Sequence, residues 1–313
     1  MSEQAFLFPG QGSQQPGMLS DFAGEDTVVE TFREASDALG LDLWELIQQG
    51  SEAELNRTEN TQPALLASGV ALWRLWQERG GPRPAFLAGH SLGEYTALAC
   101  AGVLDAAEAV KLVRRRGQLM QEAVEEGRGG MAAILGLDDE QVQNACAQAA
   151  EGEVVEAVNF NAPGQVVIAG DVAAVDRAIQ HCRDAGAKRA MPLPVSVPSH
   201  CALMRDAALR LASELEEVPF HAPQFAVINN VDVAAETDPA AIRDALVRQL
   251  YSPVRWVETV QALAGASVSR AVECGPGKVL GGLAKRIDRQ MRVLPLDNAD
   301  ALDLALKEAA SNE

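Results

Sequence analysis

The sequence predicts an α/β protein in which a small βαββαβ domain interrupts a larger one, and three features carry that prediction. The opening run Gln4-Ala-Phe-Leu-Phe8 is apolar and stops at Pro9-Gly-Gln-Gly-Ser13, the pattern of a buried strand that ends in a glycine-rich loop. Residues 84–88 form a second apolar run, broken by Gly89 and Gly93 and followed by the helix-favouring stretch 94–101. The middle of the chain then fits strand, helix, strand, strand, helix and strand into about 70 residues, the order of a split βαβ, ferredoxin-like unit.

Taken in order, the first strand places Gln11 at a strand end. Helical stretches follow, clearest where Thr61-Gln-Pro63 leads into Leu66, Val70 and Trp73 at helical spacing, with proline tolerated in a first turn. The second strand passes through a sharp turn into the helix at 94–101. Residues 105–126 read as one long amphipathic helix, apolar at Ala109, Leu112, Val113 and Leu119, and Gly127-Arg-Gly-Gly130 closes it like a hinge. Beyond lie a strand at 131–135, a helix at 138–150, strands at 154–158 and 165–169, a helix at 172–185 and a strand at 189–197. The α/β rhythm then resumes, with strands near 225–228, 268–272 and 293–295. The expected division is an α/β-hydrolase-like large domain from residues 1–127 and 198–313, with a ferredoxin-like small domain at 128–197.

Composition narrows the class. No segment approaches the ~18 consecutive apolar residues of a membrane span, and the Met-Ser-Glu-Gln start has neither the basic residues nor the apolar run of a signal peptide. The five cysteines are odd in number, scattered and never in a CxxC pair, which fits neither a disulfide framework nor a zinc site. A cytoplasmic protein without metal is expected. With 44 acidic against 26 basic residues, the net charge of -18 argues against nucleic acid as a partner.

Gly89-His90-Ser91-Leu92-Gly93 matches the nucleophile elbow G-x-S-x-G, in which a strained strand-to-helix turn exposes the serine hydroxyl. Such a hydroxyl needs a base within hydrogen-bond reach, and the chain offers four histidines. His90 adjoins Ser91 and should point elsewhere, His181 lies on an amphipathic helix, and His221 sits in a loop between Phe220 and Pro223. His200, in Pro198-Ser-His-Cys201, comes where the chain should re-enter the large domain beside the elbow, and is the best candidate base. No Asp or Glu stands out as its orienting partner.

A tetrahedral oxyanion needs two N–H donors. Leu92, after the nucleophile, is one candidate, and the loop at Gln11 is a natural second. Arg114-Arg-Arg116 spans most of a helix circumference, so at least one arginine should turn inward, where either a structural ion pair or a substrate carboxylate would satisfy it.

Together, Phe8-Pro-Gly-Gln-Gly-Ser-Gln14, Thr61-Gln-Pro63, Gly89-His-Ser-Leu-Gly-Glu94, Arg115-Arg-Gly117, Asn159-Phe-Asn161, Val197-Pro-Ser-His200, Gln249-Leu-Tyr-Ser-Pro253 and Glu273-Cys-Gly-Pro-Gly277 resemble the malonyl-CoA:acyl carrier protein transacylases of bacterial fatty acid synthesis. The likeness covers essentially the whole chain and extends to acyltransferase domains of polyketide synthases. It implies a ping-pong transfer of malonyl from coenzyme A to the phosphopantetheine thiol of acyl carrier protein through an ester on Ser91, with His200 as base. It further implies that the Gln249 backbone carbonyl orients His200, that Gln11 and Leu92 form the oxyanion hole, and that Arg116 clamps the malonyl carboxylate. Asn159 and Asn161 match a segment lining the cleft; read from the residues alone they would form an Asx turn between two strands. An acidic carrier would dock on a local basic patch, for which Lys188, Arg189, Lys278, Lys285 and Arg286 are candidates. No cofactor is implied, and a monomer is expected.

A serine esterase or thioesterase would use the same elbow and differ in whether water or a thiol resolves the acyl-enzyme. A polyketide-pathway transferase acting in trans is the other alternative.

Overall fold

The structure is a computed structural model and describes residues 3–195 and 197–310. The chain runs β1 (Glu3–Phe8), α1 (Asp26–Leu39), α2 (Leu43–Gln49), α3 (Glu52–Leu55), α4 (Thr58–Glu78), β2 (Phe86–Gly89), α5 (Leu92–Cys100) and α6 (Ala106–Glu122). It continues through β3 (Gly129–Leu135), α7 (Asp139–Ala149), β4 (Val155–Ala162), β5 (Gln165–Asp171), α8 (Val172–Asp184) and β6 (Arg189–Pro192). It returns through α9 (Arg205–Glu217), β7 (Ala226–Ile228), α10 (Pro239–Gln249), α11 (Trp256–Gly265), β8 (Val268–Glu273), α12 (Val279–Ile287), β9 (Arg292–Pro295) and α13 (Ala299–Ala310).

β1 lies at the centre of a five-stranded sheet of order β7-β2-β1-β8-β9, parallel throughout. A parallel sheet is covered on both faces, which is why β1 reads as an unbroken apolar run. Alternation then sends its side chains to two different layers: Phe6 and Phe8 pack with Trp73 and Trp76 of α4, and Ala5 and Leu7 with Trp256, Val260 and Leu263 of α11. The chain from β1 steps to β2 and β7 on one side, whereas β8 and β9 lie on the other, so the sheet order reverses between β1 and β8, at the carboxyl end of the strand that leads to Gln11. Ligand sites of open α/β sheets form there.

The second sheet is antiparallel, of order β4-β5-β3-β6, with α7 and α8 packed on one face around Ile134, Val142, Val166, Ile168 and Ile179. Backbone bonds fasten it to the first unit: Phe160 N–H donates to Val254 O at 3.0 Å and Val254 N–H to Val158 O at 2.8 Å.

Several boundaries differ from the sequence reading. β6 ends at Pro192 rather than 197, because Pro192 and Pro194 have no N–H to give the ladder; residue 196 lies outside the described residues. α6 stops at Glu122, and two of the glycines read as a hinge, Gly129 and Gly130, are the first residues of β3. Asn159 and Asn161 sit within β4, Asn159 opposite Val167 and Asn161 at an irregularity of the ladder between Phe160 and Ala162, so they precede the turn rather than form it. The turn falls instead at Pro163 and Gly164.

Candidate active site

Between β2 and α5, Ser91 adopts φ 52° and ψ -108°, a conformation that L residues rarely occupy. It persists because its neighbours hold both ends: Ser91 N–H donates to Asn230 Oδ1 at 2.7 Å, and its carbonyl accepts from Gln249 Nε2 at 3.1 Å. The turn also requires glycine on both sides. A Cβ at Gly89 would lie 1.8 Å from the Gly93 carbonyl carbon, and one at Gly93 would lie 2.0 Å from Phe8 O. Gly93→Ala should therefore cost about 3 kcal/mol or more, since the obstruction is central-strand backbone that cannot rotate away. Chemical denaturation of the variant checks this, with an unchanged midpoint as the contrary result.

The elbow brings Ser91 Oγ to 2.7 Å from His200 Nε2. His200 Nδ1 lies 2.7 Å from the Gln249 carbonyl oxygen, at the end of α10. A carbonyl can only accept, so Nδ1 carries the proton and Nε2 presents its lone pair to the serine hydroxyl. Of the other histidines, His90 turns away, its Nε2 2.8 Å from Asn161 Oδ1 and its ring beside Trp256. His181 is half-buried on α8, and His221 is exposed.

His200 is 3 % exposed. Burial, followed by the nearby Arg116 charge, pushes its pKa down to about 3, while the Gln249 carbonyl acts in the opposite direction. The imidazole is thus neutral, the state a base requires.

Arg116, on α6, is the arginine of the triplet that turns inward, and it is 1 % exposed. Its Nη1 donates to Gln62 Oε1 at 2.8 Å, and its Nη2 donates to Gln249 Oε1 at 3.1 Å and to Ser91 Oγ at 3.2 Å. The guanidinium stands 5.2 Å from the Tyr95 ring centroid. Among the described residues no carboxylate pairs with it within salt-bridge distance, and its Nε has no partner. A buried cation is costly without a direct partner, and Glu94, whose charge favours it, is joined to it only through Gln249, so the guanidinium can still accept an anion from outside beside Ser91. Arg115 turns outward to Glu214 instead.

The loop after β1 brings Gln11 close: Thr58 Oγ1 donates to Gln11 Oε1 at 2.8 Å and accepts from Gln62 Nε2 at 3.1 Å, which links this loop to the Arg116 pocket. The N–H groups of Gln11 and Leu92 make no hydrogen bond among the described residues. Leu92 opens α5, where a helix leaves its first N–H groups unpaired.

Sequence reasoning did not find Asn230, Glu94 as a structural hub, Gln62 or Tyr95. Glu94 Oε2 accepts from Gln249 Nε2 at 2.8 Å and from Asn230 N–H at 2.9 Å; Asn230 Nδ2 donates to Gly89 O at 2.7 Å. Burial drives the Glu94 carboxyl up to about 7, against these hydrogen bonds. Gln62 and Glu94 were visible within the quoted motifs; Asn230, after the short strand β7, carried no signal.

No group of three or more His, Cys, Asp or Glu among the described residues is arranged to hold a metal ion, and no described helix is long and apolar enough to cross a membrane. The acyl transferase domain family matches residues 5–286. The chain is 60% identical over 309 residues, 98% of its length and 100% of the relative's, to the malonyl CoA-acyl carrier protein transacylase of Salmonella typhimurium. Among solved structures, an acyl carrier protein S-malonyltransferase from Vibrio cholerae superposes with a TM-score of 0.95 at 60% identity, covering 97% of this chain and 99% of that one. A type II PKS acyl-carrier protein in complex with its malonyl-transacylase gives 0.97 at 57% identity, covering 98% and 100%.

Proposed function

The chain belongs to the acyl transferase family and, within it, to the malonyl CoA-acyl carrier protein transacylases, and from that premise we propose how its residues divide the work. It transfers malonyl from malonyl-CoA to acyl carrier protein, a step that supplies fatty acid synthesis. Ser91 Oγ attacks the malonyl thioester carbonyl as His200 Nε2 takes its proton. The C–S bond then breaks, His200 returns the proton to the departing coenzyme A sulfur, and a malonyl ester remains on Ser91. In the second half-reaction the carrier's phosphopantetheine thiol gives its proton to His200, attacks the ester, and Ser91 recovers its own.

Gln249 O orients His200 for both halves, the N–H groups of Gln11 and Leu92 receive the oxyanion, and Arg116 holds the malonyl carboxylate. Asn159 and Asn161 line the cleft; the bond from Asn161 to His90 supports this for the second of them. The single observation that carries the assignment is the buried Arg116, which no carboxylate meets within salt-bridge distance among the described residues, with Nη2 3.2 Å from Ser91 Oγ. A hydrolase of neutral esters has no use for that cation.

In the same reading the large domain comprises 1–127 and 198–313 and is α/β-hydrolase-like, and 128–197 forms a ferredoxin-like small domain. The protein works in the cytoplasm as a monomer, without cofactor or metal. The carrier docks on the basic patch: Lys188, Arg189 and Arg286 line one surface cleft of about 600 Å³ with Pro163 and Gly164, while Lys278 faces Asp297 at 3.5 Å and Lys285 is exposed.

Intact-protein mass tests the assignment. Wild type mixed with malonyl-CoA should gain one malonyl group and lose it to phosphopantetheinylated carrier, whereas accumulation of free malonate without carrier would turn the reading to a hydrolase.

The low pKa of His200 also sets a pH expectation. An imidazole of ordinary pKa, about 6.5, would be only about 3 % neutral at pH 5. His200, at about 3, stays neutral there, so single-turnover acylation should hold its rate from pH 8 to pH 5. A fall of tenfold or more between pH 7 and pH 5 would contradict it. The stability sign is opposite in sense: the unfolded chain binds this proton below about 6.5 and the folded one does not, so the group costs stability as pH falls from about 6.5 toward 3.

A further inference from the structure

Gln249 serves two masters at once, and something must fix its amide. Its Nε2 faces Ser91 O and Glu94 Oε2, both acceptors, which leaves Oε1 toward Arg116 Nη2. The same Glu94 oxygen receives Asn230 N–H, and Asn230 in turn grips Ser91 N–H and Gly89 O. One buried atom thus joins the arginine pocket to the serine turn. We infer that Glu94 is a positioning residue, which sets the preference for a carboxylate-bearing acyl group by holding the Gln249 amide against Arg116 through one acceptor oxygen.

The inference rests on the reading of Arg116 as carboxylate clamp. Glu94 touches neither Ser91 Oγ nor His200, and it is 1 % exposed; its hydrogen bonds reach Gln249 and Asn230, while its charge also acts on Arg116 across space. What the network needs from it is acceptance, not charge. Both bonds fall on the same oxygen, which a glutamine carbonyl could reproduce, whereas an aspartate keeps the charge but withdraws it by one methylene. A carboxyl that burial lifts to about 7 also carries a proton part of the time at neutral pH without giving up that oxygen.

The test compares loading of malonyl and of acetyl from their coenzyme A thioesters across a concentration series, by intact mass, in wild type, Glu94→Gln, Glu94→Asp and Arg116→Ala. Glu94→Gln should keep the malonyl-over-acetyl preference within about threefold, while Glu94→Asp should lose about tenfold or more of it, mainly as a raised KM for malonyl-CoA. Thermal melts identify misfolded protein; should Glu94→Asp not fold, Glu94→Ala takes its place. The opposite pattern, with preference kept by aspartate and lost by glutamine, would assign the role to charge and overturn the proposal. Equal loss on both thioesters, or no loss in Glu94→Asp, overturns it as well. Arg116→Ala separates the two readings: if it keeps the malonyl preference, the clamp itself fails and the role of Glu94 fails with it. If Arg116→Ala loses the preference and Glu94→Asp does not, only Glu94 is acquitted.

Discussion

Ser91→Ala, mixed with malonyl-CoA, should stay at its unmodified mass, and transfer to carrier should fall by a factor on the order of 10⁴ or more. Only one hydroxyl is removed. The bonds that hold the turn come from the backbone of residue 91, N–H to Asn230 and carbonyl from Gln249, so they survive the substitution and the melting temperature should stay near that of wild type. His200 would remain neutral and oriented, but with no hydroxyl 2.7 Å from its Nε2. No other nucleophile is ready to substitute. The described cysteines are all buried, and burial pushes Cys146 and Cys201 up to about 12 and raises Cys100 and Cys274 well above the ordinary thiol value, which keeps them as inert thiols. Equal loading of wild type and variant would therefore remove Ser91 from the mechanism altogether.

Arg116→Ala should lower malonyl loading by about 10²-fold or more and leave acetyl loading within a few-fold, measured as the concentration dependence of adduct formation from each thioester. Truncating one member of a buried, hydrogen-bonded charge pair costs about 2–5 kcal/mol, and the malonyl carboxylate would be the abandoned member. Acetyl has no such group, so its loading reports only what Arg116 contributes through its bond to Ser91 Oγ. The variant fills no new volume, and the amides of Gln62 and Gln249 lose a donor each. Comparable losses on both thioesters would make Arg116 a support for the nucleophile rather than a selector of the acyl group.

Much of this was legible in the chain. The run before Gly89 and the helix-favouring residues after Gly93 gave the elbow, because both obey local rules of burial and turn chemistry. His200 could be reached by elimination among four histidines. Arg116 could be suspected as one of three, but periodicity does not say which of three successive arginines points inward; that depends on α4 and α5 packing against α6. The Gln249 carbonyl lay beyond side-chain reasoning, since every residue has one, and only the family resemblance singled it out. Asn230 and the bridging of Glu94 are products of chain segments about 140 residues apart in sequence, which no spacing records. The end of β6 was misjudged although the two prolines responsible were in plain view.

A neutral carbonyl, rather than a carboxylate, stands behind His200, and with Arg116 nearby the imidazolium is strongly disfavoured. Such a ring is a weak base, so the acidity of the group it must deprotonate matters. A thiol, with an ordinary pKa of about 8.5, parts with its proton far more readily than water does, at about 15.7. On the proposed mechanism the second half-reaction therefore asks less of His200 than the first, because the carrier thiol yields its proton more readily than the Ser91 hydroxyl does.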